Sequence, residues 1–248
     1  MKKFILALFP VALLACHTAN KTTDDAKAAN TSKKNDGWQS LFNGTSKDSW
    51  HVYNSKSDGA AWKVLNDGVL YLDPEAKKKG AGGGDLVTNE EFENFDLKLE
   101  WKIDSAGNSG IIFLTQEDAK YGQSYLTGPE MQIIDNNGHR DAKINKHRAG
   151  DLYDLIAGTP ENVHPLGQWN QIEIIINKGQ LDLFQNGAKV VSTTMWNDNW
   201  KQLIANSKFK SWAGFGMFQK GRIALQDHGN GVAFKNIQIK RLYISSTH

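Results

Sequence analysis

Phe95-Asp96-Leu97-Lys98-Leu99-Glu100-Trp101-Lys102-Ile103 is apolar at every odd position and charged at the even ones. A period of two held over so long a run suits a strand with one buried and one wet face, the pattern of antiparallel sheets. Shorter runs repeat this texture. Trp62–Leu65 and Val69–Leu72 flank Asn66-Asp67-Gly68, the strongest hairpin signal in the chain. Trp169–Asn177 and Gln180–Gln185 flank Lys178-Gly179, and Asn186-Gly187 turns the chain into Lys189–Thr193. Trp50–Tyr53, Asp85–Thr88, Ile111–Leu114, Trp212–Phe218, Arg222–Gln226 and Val232–Leu242 also read as strands, with Asn108-Ser109-Gly110 as a tight turn. One short helix, Trp200–Asn206, is expected and no long helical run occurs. The economical fold is all-β: a two-sheet antiparallel sandwich of the jelly-roll kind, forming one domain, with one concave sheet face open to a ligand.

The N-terminus stands outside that argument. Lys2-Lys3 and the apolar run Phe4–Leu14 form an export signal too short to span a bilayer as a stable anchor. Leu13-Leu14-Ala15-Cys16 resembles the bacterial lipobox. A lipoprotein signal peptide over residues 1–15 is therefore expected, with Cys16 lipidated and the protein held in the cell envelope, facing the periplasm or the cell surface. Plain secretion with Cys16 discarded is the other reading. Cys16 is the only cysteine, so no intramolecular disulfide can form. Residues 16–36, rich in Lys, Thr, Asn, Asp and Ala, have almost nothing to bury and read as a disordered tether ahead of a domain over 37–246. A net charge of +2 from 29 basic and 27 acidic residues shows no nucleic-acid footprint.

Gly128-Pro129-Glu130-Met131-Gln132-Ile133-Ile134-Asp135 alternates acidic or amide side chains with apolar ones. Extended, it places Glu130 and Gln132 on one face and Met131 and Ile133 on the other, so a polar groove can form without emptying the core. Asn108–Phe113 is read together with it. Residues 136–165 form a long irregular stretch holding His139, Arg140, Asp141, His147, Arg148, Asp151, Tyr153 and Asp154, with apolar residues that argue for a packed, functional loop. Lys77–Gly84 reads as a plain solvated loop rather than a phosphate cradle, since no helix pattern follows it. Eight Trp residues suit sugar stacking, although Trp also fills β cores.

Several short motifs follow one another in order: Gly37-Trp38-x-x-Leu41-Phe42-Asn43-Gly44, Gly83-Gly84-Asp85-Leu86-x-Thr88, Phe92-x-x-Phe95-Asp96-Leu97, Gly107-Asn108-Ser109-Gly110-Ile111, Gly128-Pro129-Glu130-x-Gln132-Ile133-x-Asp135, Gly150-Asp151-Leu152-Tyr153, Trp169-Asn170 and Leu225-Gln226-Asp227-His228-Gly229. This succession resembles the 3-keto-disaccharide hydrolase family over roughly Gly37 to Ile244. The resemblance implies a concanavalin A-like lectin/glucanase jelly roll and, as substrates, glycosides whose glucose C3 hydroxyl is oxidised to a ketone. The ketone acidifies the C2 hydrogen, so a positioned base can remove it. The enolate then expels the C1 substituent, and water can add to the enone. No oxocarbenium ion is required, and so no flanking pair of carboxylates. A donor or cation near the C3 oxygen should hold the enolate charge.

On that implication Glu130 is the first candidate for the base, although a carboxylate there could equally hydrogen-bond a sugar hydroxyl. Gln132 is a substrate hydrogen-bonder, because an amide cannot titrate. Its place between Glu130 and the following acid counts against a retaining glycosidase acting on unoxidised β-glucan. Asp135 falls out of the alternation, to bind substrate or to orient the loop. Asp227 and His228 are catalytic candidates of which a regular strand lets only one face the groove; His228 shares its face with Gln226, and that pair is favoured. Closure of the long loop could bring His147, Asp151 and Tyr153 over the substrate, Tyr153 donating to the C3 oxygen and Lys208 supplying positive charge. Asn108 joins the substrate-binding set. No cofactor is called for. A structural divalent cation such as calcium stays open, and His139, Asp141 and His147 could ligate one, although nothing in their spacing fixes a geometry. A non-catalytic, lectin-like carbohydrate-binding module on the same scaffold is the alternative function.

Overall fold

The computed structural model describes residues 36–242. The expected signal peptide, Cys16 and all of the tether but Asp36 lie outside the described residues, as do positions 243–246 of the expected domain. The strands are β1 (Trp38–Ser40), β2 (Trp50–Val52), β3 (Trp62–Val64), β4 (Leu70–Leu72), β5 (Leu86–Thr88), β6 (Phe95–Ile103), β7 (Asn108–Thr115), β8 (Glu130–Ile134), β9 (Asn170–Asn177), β10 (Gln180–Gln185), β11 (Ala188–Thr194), β12 (Arg222–Leu225) and β13 (Val232–Arg241). The helices are α1 (Pro74–Lys78) and α2 (Asp198–Ala205).

All strand pairs are antiparallel, and they make two sheets. One runs β11-β10-β9-β6-β13-β4-β3, with β1 added on β13; the other runs β2-β5-β12-β7-β8. This is the expected two-sheet antiparallel jelly-roll sandwich. The odd positions of β6, Phe95 to Ile103, are buried and the even ones half-exposed. They meet Ile172, Ile174, Ile176, Phe234 and Ile239 of the same sheet and Ile111, Phe113, Met131, Ile133 and Leu225 of the other in one continuous core. Full burial of each such side chain is worth about 1.5–3 kcal/mol, so the shared interior holds the layers together.

Three expectations give way. Asn108–Gly110 is strand and not turn, because Asn108 and Gly110 pair with Ile134 and Gln132 of β8. The reversal lies earlier, where Gly107 N–H donates to the Asp104 carbonyl at 3.0 Å. Trp212–Phe218 is a series of turns, with Phe215 N–H on the Trp212 carbonyl and Met217 N–H on that of Gly214. Gly214 and Gly216 take φ of 88° and 66°, which breaks any extended run there. Lys77–Gly84 is no plain solvated loop. It begins inside α1, which Asp73 caps by accepting from Glu75 N–H and Ala76 N–H, and it packs against the end of β12 through Asp227. The helix expected over Trp200–Asn206 is present as α2. Asn197 caps it, and Trp200 is driven wholly into the core with its indole N–H on the Gly216 carbonyl.

Candidate active site

Cross-strand partners share a face, so the register places Glu130 opposite Ile112 and Gln132 opposite Gly110 on the outward side of the five-stranded sheet. Met131 and Ile133 face inward, as the alternation predicts. Above that outward face lies a cavity of about 620 Å³, within the size range of small-ligand sites. Its floor is Asn108, Glu130, Gln132 and Gln226. Asp227, His228 and Lys77 line it as a polar group, and Tyr125, Phe209, Trp212 and Phe215 as an aromatic wall. Tyr153, Lys208 and Gln123 also line it, with Gly128 and Gly229. In the wall, Phe209 stacks on Phe215 with centroids 3.8 Å apart, and Tyr125 lies 5.7 Å from Trp212.

Glu130 is 7% exposed. Its carboxyl lies across Gly110, where a Cβ would collide with it, so glycine is required at 110 for the room it leaves and not for a turn. Burial pushes the Glu130 carboxyl up to about 8, with Asp85 and Asp141 adding to the rise while Lys208 and a hydrogen bond from Gln226 oppose it. Gln132 is 1% exposed; its amide nitrogen reaches the His147 carbonyl at 3.4 Å, and its Oε1 has no partner. A buried acceptor left unmade is costly, and a ligand hydroxyl entering the cavity would satisfy it.

The segment 150–156 is laid along the free edge of β8. Gln132 N–H donates to the Asp151 carbonyl, Gly150 N–H to that of Gln132, and Tyr153 N–H to that of Glu130, each at 3.0 Å. Tyr153 is therefore fixed beside Glu130 by main-chain bonds. Its hydroxyl donates to Asp141 Oδ2 at 3.0 Å and accepts from Lys208 Nζ at 2.8 Å. The one phenolic hydrogen is thus committed to Asp141, while Lys208 retains two N–H groups. Burial first, then the hydrogen bond to Asp141, pushes the phenol far up, and burial lowers the Lys208 ammonium.

Asn108, Glu130, Gln132, Tyr153, Lys208, Gln226, Asp227 and His228 of the expected set line one cavity. Asp227 and His228 enter together because β12 ends at Leu225, and a turn closed by Gly229 N–H on Asp227 Oδ1 frees both from strand alternation. The Asp227 side chain is only 1% exposed. Lys77 Nζ binds both its oxygens, and the Gly84 and Gly229 amides take the remaining positions. Four hydrogen bonds from these three donor groups occupy the roughly four lone-pair sites of a carboxylate, so Asp227 anchors the wall and has no face left for proton transfer.

Three expected contact residues, Asp135, Asp151 and His147, do not line the cavity. Asp135 accepts from Ala106 N–H and Asn137 N–H at 2.8 and 3.0 Å, which hold its carboxyl below the usual range against the opposing effect of burial. Asp151 accepts from Arg148 N–H and Gly158 N–H at 2.7 Å each and organises its own loop. His147 is buried under Tyr153, ring centroids 4.3 Å apart, with Nδ1 at Asp141 and Nε2 at Asp154. His139 turns its Nδ1 to the Asp141 backbone N–H at 3.2 Å and its ring edge-on to His228 at 6.1 Å, so it does not join the Asp141 carboxyl and His147 as a third ligand. Among the described residues no group of three or more His, Cys, Asp or Glu side chains is arranged to hold a metal ion. Lys77, Gln123, Tyr125, Phe209, Trp212 and Phe215 line the cavity without having been expected from the sequence. The dense aromatic spacing of Phe209, Trp212 and Phe215 was the available signal for three of them.

A family model described as a 3-keto-alpha-glucoside-1,2-lyase-like domain matches residues 37–240. The 3-keto-disaccharide hydrolase of Bacteroides thetaiotaomicron is 33% identical over 230 residues, covering 84% of this chain and 79% of that protein. A crystal structure of a candidate glycosyl hydrolase from Parabacteroides distasonis ATCC 8503 superposes with a TM-score of 0.76 at 31% identity, covering 84% of this chain and 95% of the other. A second from the same organism gives 0.61 at 25% identity, covering 83% and 99%. The match at 37–240 takes in both sheets and every wall of the cavity, and this chain accordingly belongs to the family of 3-keto-alpha-glucoside-1,2-lyase-like domains.

Proposed function

We propose that this chain is a carbohydrate-active enzyme that cleaves 3-keto-glucosides by elimination at C1–C2, exported and held in the cell envelope through a lipid on Cys16. The observation that carries the reaction is the buried Glu130 carboxyl facing Lys208 over a polar floor that includes the unpartnered Gln132 oxygen. Glu130 in its ionised form takes the C2 hydrogen, the C3 oxygen gains the charge, and an enolate forms. Lys208 faces that oxygen, because Tyr153 has already given its hydrogen to Asp141 and serves to hold the ammonium. The enolate re-forms the ketone as the C1–O bond breaks. The departing oxygen receives a proton from protonated Glu130 or from His228 on the cavity wall. Addition of water across the resulting enone gives the free keto-sugar, a net hydrolysis. Gln132, Asn108 and Gln226 hold sugar hydroxyls, and the aromatic wall takes an apolar ring face.

A base near pH 8 predicts the pH profile. With a 3-keto-glucoside carrying a chromogenic leaving group, kcat/KM should rise with pH along a limb near 8, since only ionised Glu130 can abstract the proton. The matching unoxidised glucoside should not turn over. Sugar binding without release would make the domain a lectin-like module instead. The support for anchoring is the lipobox-like Leu13-Leu14-Ala15-Cys16 alone. Expressed in bacteria fed radiolabelled palmitate, the full chain should incorporate label and Cys16→Ser should not; label in both would refute the anchor.

A further inference from the structure

The hydrogen bonds behind the cavity form a closed circuit that leaves from one end of Lys208 and returns to the other. Lys208 N–H donates to Asp154 Oδ2 at 2.7 Å. Asp154 Oδ1 meets His147 Nε2 at 2.9 Å, and His147 Nδ1 meets Asp141 Oδ2 at 3.1 Å. That same oxygen takes the Tyr153 hydroxyl, whose oxygen receives Lys208 Nζ. Asp154 thus fixes the backbone of Lys208, and Asp141 fixes its ammonium through Tyr153. His147 is 6% exposed and spans the two carboxylates beneath the Tyr153 ring.

We infer that Asp154 and His147 are positioning residues for the proposed elimination: they touch no substrate, and together they set where the Lys208 ammonium stands relative to Glu130. The inference rests on the reaction proposed above. Asp154 carries a further mark of constraint. Its φ is +57°, and its N–H donates to the carbonyl of Lys146, itself at φ +70°. Non-glycine residues hold such a conformation when their surroundings over-determine it. The side-chain bonds to His147 and to the Lys208 amide supply that determination. Loop 139–156 and the 3-10 turn Lys208–Ser211 come from distant parts of the chain, and this carboxylate joins them.

The charged and titratable groups around Glu130 are Lys208, Tyr153, Lys77, Asp227 and His228, which line the same cavity, and Asp85 and Asp141, which raise its carboxyl. Lys77 is paired with Asp227, and Lys208 is the cation that holds the Glu130 carboxyl down. A displaced ammonium therefore shows itself twice: as a slower reaction and as an upward move of the Glu130 titration. Asp154→Asn is the informative variant, because Asn tolerates φ > 0 and keeps an acceptor, so the loop can fold. A displacement on the order of 1 Å at a reacting group can cost up to ~10²-fold. Asp154→Asn and His147→Gln should each lower kcat by about 10- to 100-fold with KM within about twofold, and should move the kcat/KM limb upward as Lys208→Met does. Glu130 is followed in parallel by carboxyl-carbon NMR on labelled enzyme without substrate. If the wild type turns over no 3-keto-glucoside, the proposed reaction fails while the NMR arm still decides the positioning. A Glu130 midpoint equal in wild type and Asp154→Asn but raised in Lys208→Met overturns the inference. So does a midpoint that Lys208→Met leaves in place, and so does a kcat loss with the limb unmoved.

Discussion

Glu130→Gln is expected to lose proton abstraction altogether, lowering kcat on a 3-keto-glucoside by about 10²–10⁴-fold, the usual contribution of a positioned base. The amide keeps the shape of the carboxyl over Gly110, and binding of an unreactive sugar analogue should survive. The same variant should be more stable than the wild type in alkali. Because burial raises the folded-state value of Glu130 to about 8, the folded protein must either retain a proton there or bury a charge. Its favourable contribution is full below the unfolded value near 4.5 and is lost as pH rises through 8. Thermal unfolding at pH 9 should therefore occur roughly 5–10 °C higher in Glu130→Gln, while at pH 4 the two proteins should melt together. A variant that retains wild-type turnover would remove Glu130 as the base. Equal melting temperatures at both pH values would show that the carboxyl is not buried as described.

Lys208→Met is the second large effect. In the proposed elimination the ammonium meets the charge developing on the C3 oxygen, and loss of one preorganised donor at such a position costs about 10²–10³ in kcat. KM should change far less, since the ground-state ketone carries no full charge. The limb of the kcat/KM profile should also move to higher pH, because the cation that lowers Glu130 is gone. Lys208→Arg should keep part of the rate and the limb position. Tyr153→Phe should do less harm than Lys208→Met, since it removes the rest on which the ammonium lies and not the charge itself. The opposite ranking, with Tyr153→Phe the more damaging, would return the phenol to the role of donor.

Much of the fold was legible because period-two alternation and Asn-Gly or Asn-Asp-Gly turns are local signals. β6 falls on the residues the alternation marked, and the hairpin of β3 and β4 on the strongest turn. The site was legible where it rides on such a strand: Glu130 and Gln132 project to one face because β8 alternates. It was not legible where long-range contacts decide. Lys77 and Asp227 pair across 150 positions, and no local pattern announces that an apparently solvated lysine will saturate an apparently catalytic aspartate. Gly110 read as a turn glycine, while its cause is a carboxyl on the neighbouring strand. Asp135 and Asp151 looked like ligand groups because acids in a polar loop do. Their use is to collect backbone amides, which any loop of this length must satisfy somewhere.

β8 is the outermost strand of its sheet, and the segment that seats Tyr153 also takes up its main-chain donors and acceptors. An uncovered strand border invites pairing with another molecule. Chemistry and colloidal behaviour are therefore joined in one loop. A lesion that loosens residues 150–156 would free an adhesive margin as it disarms the enzyme, so lost turnover and clumping would arrive together, and selection for soluble protein alone would guard part of the catalytic apparatus.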